Sequence, residues 1–256
     1  MTGFLAAVVD DKIREIAELT AYEHSAAFTR TGSPPRGFAA AVADGGIIAE
    51  LKRRSPTVAS FPRGDDPLAQ ALTYAAHGAA AVSIVTDTPR FGMVLAEVAT
   101  VRDAIALPVL VKDFLIDVVQ VRAAWAAGAD AVLLIARIVD DARLAELHAE
   151  AKALGLDALV ECHDEADLEK ARRLGAPLVG INSRDLDTLH MSAGGMERMI
   201  ALKPEGCLMV AESGMTCRDD IETMAALGAD AFLIGSVLLA ADDPGHLLDQ
   251  LRGATR

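Results

Sequence analysis

In the stretch IIAELKRRSPT, residues 47–57, Glu50 and Lys52 interrupt an apolar run at a spacing of two. Residues two apart on a strand share a face, so a buried strand here would hold a carboxylate and an ammonium side by side. Two buried charges are costly unless they pair, and paired titratable groups in a pocket are suited to acid–base chemistry. Alone, the pair also fits a surface strand with a solvated ion pair. The design recurs, however. VLVK ends on Lys112, followed by Asp113; ALVE ends on Glu161; LVGIN ends on Asn182, with Arg184 two residues on; LMVAE ends on Glu212. A single charge at a strand end is ordinarily a solvated loop start. Two lysines and three glutamates at corresponding points of separate units are hard to assign to surface decoration. Facing one pocket, they would shift each other's pKa values and serve as acid and base.

Two further strand ends have a different chemistry. AESGM carries Ser213 and Gly214, and LIGS carries Gly235 and Ser236. Each places Gly and Ser where a strand gives way to a helix, so backbone N–H groups and a helix N-terminus can approach an anion. We read the pair as a phosphate cradle, although either alone is an ordinary turn.

The elements that would position these groups follow a rhythm. Short apolar runs begin with the Ile47 stretch and continue at Ala81–Val85, Val109–Lys112, Ala131–Ile135, Ala158–Glu161, Leu178–Asn182, Leu208–Glu212 and Ala231–Ile234. Their ends fall roughly 21 to 33 residues apart, one strand–helix unit each. Gly-Ala pairs at 78, 128, 175 and 228 each follow a helical stretch and precede a strand, as helix C-caps do. Apolar strands alternating with helices imply a parallel sheet covered by helices. Eight units favour a closed (β/α)8 TIM barrel of the phosphate-binding type, whose site lies at the C-terminal strand ends. Before it, Leu5, Val8, Val9, Ile13, Ile16 and Leu19 predict an amphipathic helix from Phe4 to about Glu23, and TGSPPRG, from Thr31 to Gly37, predicts a loop. The expected layout is one domain over residues 1–256, a helical extension at 1–45 and the barrel at 46–256.

Composition narrows the function. The chain is 52% hydrophobic but 4% aromatic, so its core is built from Ala, Val, Leu and Ile. A net charge of −13 disfavours nucleic acid. Neither GxGxxG nor GxxxxGK[ST] occurs, nor a Gly-x-Ser-x-Gly elbow. The six histidines show no HxxxH or HExxH and no cysteine joins them at ligand spacing, so no metal is expected. His163 follows Glu161 and is read as a helix N-terminal residue in preference to a site residue; Cys162 should face the helices and Trp125 should pack between helix and barrel. Cys162, Cys207 and Cys217 are odd in number and lack CxxC, which suggests free thiols in the cytoplasm. Acidic residues come too early in the N-terminal stretch for a signal peptide, and no apolar run spans a membrane.

At these residues the chain resembles indole-3-glycerol phosphate synthases, on IIAELKRRSPT, LPVLVKDFLID, ALVECHDEADLEKA, VGINSRDL, VAESGM and AFLIGS. The resemblance implies ring closure, decarboxylation and dehydration of 1-(2-carboxyphenylamino)-1-deoxyribulose 5-phosphate, with no cofactor. By position it implies that Lys112 is the general acid, Glu161 handles protons and Lys52 is a second lysine at the substrate. Glu50 and Asn182 would position Lys52 and the substrate hydroxyls. Glu212 would be a polar pocket residue, with Ser55 and Arg184 near the substrate carboxylate. Ser213, Gly214, Gly235 and Ser236 would hold the phosphate. The expected partner is a small phosphorylated substrate, and the chain is expected as a monomer or weak homo-oligomer.

Two loops depart from the family pattern. Thr57–Phe61 lacks a Gly, and Phe91-Gly92-Met93-Val94 stands where Phe-x-Gly-Ser is usual. Both are expected over the aryl end of the site, with Phe91 touching substrate and Met93 reshaping the pocket. A specialised or lapsed paralogue, or another sugar-phosphate isomerase or aldolase, is therefore the alternative reading.

Overall fold

In the computed structural model, which describes residues 3–30, 32–184 and 194–254, eight parallel strands close into a barrel. They are β1 (Gly46–Leu51), β2 (Ala81–Val85), β3 (Val109–Lys112), β4 (Ala131–Ile135), β5 (Asp157–Cys162), β6 (Leu178–Asn182), β7 (Leu208–Glu212) and β8 (Ala231–Ile234). Closure is set by Ile48 opposite Ala81 on β2 and Ala49 opposite Ile234 on β8. The helices are α1 (Phe4–Ser25), α2 (Phe38–Val42), α3 (Pro67–Ala76), α4 (Thr88–Phe91), α5 (Glu97–Ala104), α6 (Val118–Ala126), α7 (Asp141–Ala153), α8 (Glu165–Leu174), α9 (Gly195–Ile200), α10 (Arg218–Leu227), α11 (Ser236–Ala240) and α12 (Pro244–Arg252). The predicted strands are present to within a residue or two. Thr31, Asp185, Leu186 and His190 lie outside the described residues.

The core has two layers, sorted by strand alternation. Ile47, Ala49 and Leu51 join Val111, Leu134, Val160 and Cys162 between strands and helices. Ile48 joins Leu110, Leu133, Leu159, Leu178, Val210 and Leu233 inside the barrel, where Phe38 and Val42 of α2 also pack. The same alternation turns Glu50, Lys112, Glu161, Asn182 and Glu212 inward at the C-terminal ends. Asp117, Asp140 and Asp164 each accept from a backbone N–H of the following helix, fixing where it starts. Gly175 and Gly228, at φ +70° and +112°, end α8 and α10 in the left-handed conformation.

The first helix differs from its expected packing. Leu5 and Val8 are buried, but Ile13 is 55% exposed and Lys12 only 2%. The reason is what α1 lies against. Lys12 Nζ sits 2.6 Å from Asp113 and 3.4 Å from Asp87, at the ends of β3 and β2, and 2.8 Å from Glu15. Burial alone would depress the Lys12 ammonium, but Asp113 and Glu15 outweigh it and hold its pKa above the ordinary range. Thr86 Oγ1 donates to Asp113, and Arg90 links Asp87 to Asp11. A polar network thus joins the apolar contacts of Leu5 and Val8 in docking α1 beside the barrel mouth.

Candidate active site

A cavity of about 300 Å³ opens at the C-terminal ends of the strands. The residues expected to do the chemistry or to touch the substrate and its phosphate all line it: Glu50, Lys52, Ser55, Phe91, Lys112, Glu161, Asn182, Arg184, Glu212, Ser213, Gly214, Gly235 and Ser236.

At its floor lie two ammonium–carboxylate pairs. Lys52 has just left β1, and its Nζ bonds Glu50 Oε1. Lys112 Nζ donates to Glu161 Oε2 at 2.8 Å and stands 3.4 Å from Glu212 Oε2. Asn182 Nδ2 reaches the same Glu161 oxygen at 3.3 Å. Burial alone would weaken the Lys112 ammonium, but Glu161, Glu212 and Glu50 outweigh it, so Lys112 is held protonated. Burial would likewise raise Glu161, but the Lys112 charge and His163 hold its carboxyl well below the ordinary range. Glu212 goes the other way. Its burial and the Glu161 charge beside it push it well above that range, and neither of its oxygens has a hydrogen-bond partner among the described residues. The floor therefore sets a lysine against two glutamates whose proton affinities are pushed in opposite directions, Glu161 toward the ionised form and Glu212 toward the protonated one.

The end nearest β7 and β8 suits an anion. Ser213 is a non-glycine residue at φ +68° and Gly214 follows at +83°, so the backbone turns sharply over the cavity. Ser213 Oγ donates to Asn182 Oδ1 at 3.1 Å, which ties this turn to the floor. Ser236 opens α11, and the first N–H groups of that helix have no carbonyl within it to bond. The helix after β7 begins later than expected, at Arg218, so Ser213–Thr216 line the cavity as loop.

The opposite end is apolar. Phe4, Phe91, Phe114, Leu133 and Ile135 line it, with the Phe4 and Phe114 rings edge to face at 6.5 Å. Sequence reasoning missed Phe4 and Phe114; the segment LPVLVKDFLID contains the second, and nothing local marked the first. Arg53 and Arg54 donate backbone N–H groups to Phe91 O, which joins the loop after β1 to the turn bearing Phe91. Met93 does not reshape the pocket, contrary to expectation. It is fully buried among Leu51, Ile84 and Val98, in the layer between strands and helices, because α4 ends at Gly92 and turns the next side chain away. Cys162 faces the helices as expected. His163 precedes the helix cap at Asp164 as expected, but its ring also touches Glu161.

Residues 5–251 match the family model described as indole-3-glycerol phosphate synthase. A curated protein of that name from Hyphomonas neptunium is 42% identical, covering 89% of this chain and 86% of its own. Another from Acidithiobacillus ferrooxidans is 40% identical over 98% of this chain and 99% of its own. Among solved structures, a 3-hexulose-6-phosphate synthase superposes with a TM-score of 0.63 at 18% identity, covering 82% of this chain and 100% of that one. That likeness is one of fold.

Proposed function

The chain belongs to the indole-3-glycerol phosphate synthase family, and we propose that in its cavity Lys112 is the general acid and Glu161 the proton-accepting carboxylate. The activity is that of a carboxy-lyase of tryptophan biosynthesis. It converts 1-(2-carboxyphenylamino)-1-deoxyribulose 5-phosphate to indole-3-glycerol phosphate, carbon dioxide and water.

The observation that carries the assignment is the Lys112–Glu161 pair on the cavity floor. The aryl carbon bearing the carboxylate attacks the ribulose C2 carbonyl. Charge then develops on the carbonyl oxygen, and a buried ammonium is the group that stabilises and protonates it. Carbon dioxide leaves with its bonding pair retained by the ring, which restores aromaticity. Loss of the new hydroxyl as water requires one proton delivered and one removed. Glu161, kept ionised, removes it; Lys52, paired to Glu50, or Lys112 delivers it. Asn182 bridges Glu161 and the Ser213 turn, and so aligns the carboxylate with the substrate hydroxyls.

The two ends of the cavity divide the remaining recognition. Ser213, Gly214, Gly235 and Ser236 take the phosphate through backbone N–H and hydroxyl groups. Phe4, Phe91 and Phe114 cover the aryl ring, with Ser55 and Arg184 near its carboxylate. Holding both ends brings the aryl carbon onto the carbonyl, the proximity a cyclisation needs. Met93 lies away from the cavity, which removes one of the two departures that suggested an altered aryl group.

In the same reading the chain works as a monomer or weak homo-oligomer in the cytoplasm, without nucleic acid. Cys162, Cys207 and Cys217 are free thiols, which suits a reducing compartment. No helix among the described residues is long and apolar enough to cross a membrane. Steady-state turnover of the carboxyphenylamino substrate by the purified chain and by Lys112→Ala tests the assignment.

A further inference from the structure

We propose that His163, which lies outside the cavity lining, is a positioning residue that grips Glu161 from behind and fixes which of its oxygens faces the substrate. The inference rests on Glu161 being the proton-accepting carboxylate.

His163 follows β5 by one residue, and its side chain is 3% exposed. Its Nε2 lies 3.2 Å from Glu161 Oε1, and its Nδ1 lies 3.8 Å from Asp167 Oδ2 on α8. The backbone N–H of His163 donates to the same Asp167 oxygen at 3.0 Å, which pins the main chain that carries the ring. The approach to Glu161 is close but not a formed hydrogen bond: neither ring nitrogen has a hydrogen-bond partner among the described residues, and Glu161 Oε1 at 3.2 Å is nearer than Asp167 Oδ2 at 3.8 Å. A buried N–H left without an acceptor is costly, so Glu161 Oε1 is where the His163 proton is directed.

The other oxygen of Glu161 is already engaged, by Lys112 Nζ at 2.8 Å and Asn182 Nδ2 at 3.3 Å. The two carboxylate oxygens thus face different neighbours, Oε2 the Lys112 and Asn182 donors and Oε1 the His163 ring, and rotation of the carboxylate would lose both arrangements. A base held in one orientation presents its lone pair at a fixed place, the condition for efficient proton transfer. The titratable groups around the pair are Lys112 from β3, Glu212 from β7 and Asp167 from α8. Asp167 is held in turn by Arg137 Nε at 3.0 Å, while Arg137 also bonds Asp164 at 2.7 Å. His163 is therefore the inner link of a braced line that runs from the surface to the catalytic carboxylate.

The test compares His163→Leu, which removes the donor, with His163→Asn, which keeps a polar N–H, using the carboxyphenylamino substrate. Loss of a donor to the ionised form raises the Glu161 pKa. The expected result for His163→Leu is a kcat about tenfold lower, KM within about twofold, and an acid limb of kcat/KM moved up by roughly one pH unit. His163→Asn should recover at least part of the shift. A folded His163→Leu with the native kcat and the native acid limb would overturn the proposal. If that variant does not fold, the ring nitrogens of ¹⁵N-histidine-labelled protein give the answer. The His163 Nε2 resonance, assigned through His163→Asn, should shift in Glu161→Gln, and an unmoved resonance would overturn the proposal. Full turnover in Glu161→Gln would remove the base assignment and this inference with it. Loss of turnover there, with a native pH profile in His163→Leu, would overturn this inference alone.

Discussion

Lys12 of the first helix lies 2.6 Å from Asp113, the residue that follows Lys112 on the chain. Both partners are nearly out of water, at 2% and 8% exposure, and Asp87 closes the group from the end of β2. The contact ties an element outside the barrel to the strand that carries the proposed general acid.

Removing one member of such a group strands the others. Lys12→Met should lower unfolding free energy by about 3 kcal/mol, because Asp113 would be buried without its cation and Asp87 would keep only Arg90. The Lys12 pKa is raised in the folded chain, so its contribution is full at neutral pH and fades only above the ordinary lysine range. Urea unfolding at pH 7 reads the difference directly. A loss below about 1 kcal/mol, the value of a solvated surface pair, would contradict the burial of this network.

Glu212 makes the opposite prediction. Its folded pKa is raised by burial and by Glu161, so the folded chain keeps a proton that the unfolded chain releases. Stability from this group is full below the ordinary glutamate pKa and declines as pH rises toward the folded value. Glu212→Gln, neutral at every pH, should be as stable as the native chain in mild acid. Between the two pKa values it should gain about 1.4 kcal/mol for each pH unit. Unfolding curves at pH 5 and pH 8 measure this. A variant less stable by the same amount at both values would mean that Glu212 is ionised.

Ser236 opens the short helix α11 at the proposed phosphate end. Ser236→Ala should raise KM by about tenfold, the scale of one hydrogen bond to a charged group, and leave kcat near native. Such a bond is common to ground and transition states, so its loss appears in KM. A fall in kcat at constant KM would place the hydroxyl at the reacting centre instead.

The strands were legible in the sequence for a physical reason. A parallel barrel buries both faces of each strand, so the runs are continuously apolar, and a charge at the end of one stands out. Glu50, Lys112, Glu161 and Glu212 were found that way. Asn182 was found as the end of LVGIN, and the glycines after α8 and α10 marked where helices stop. What the sequence hid was the direction of individual side chains outside regular structure. Periodicity assigned Ile13 to the core, yet α1 docks on two aspartates, so Lys12 turns inward and Ile13 faces water. Met93 read as a pocket residue, but a left-handed Gly92 sends it into the core. Phe4 stands far in sequence from every other cavity residue, so only the path of α1 could bring it there. His163 looked like a helix-start residue because its second contact, to Glu161, depends on the ring's place behind β5.

The central claim is that Lys112 and Glu161 form the acid–base pair of the ring closure. It is tested most directly by steady-state turnover of 1-(2-carboxyphenylamino)-1-deoxyribulose 5-phosphate, followed by indole fluorescence, with the native chain and Lys112→Ala side by side. The native chain should turn over, and the variant should lose about 10²–10⁴-fold in kcat, the range for a positioned general acid, with KM little changed. A Lys112→Ala variant with near-native kcat would contradict the mechanism.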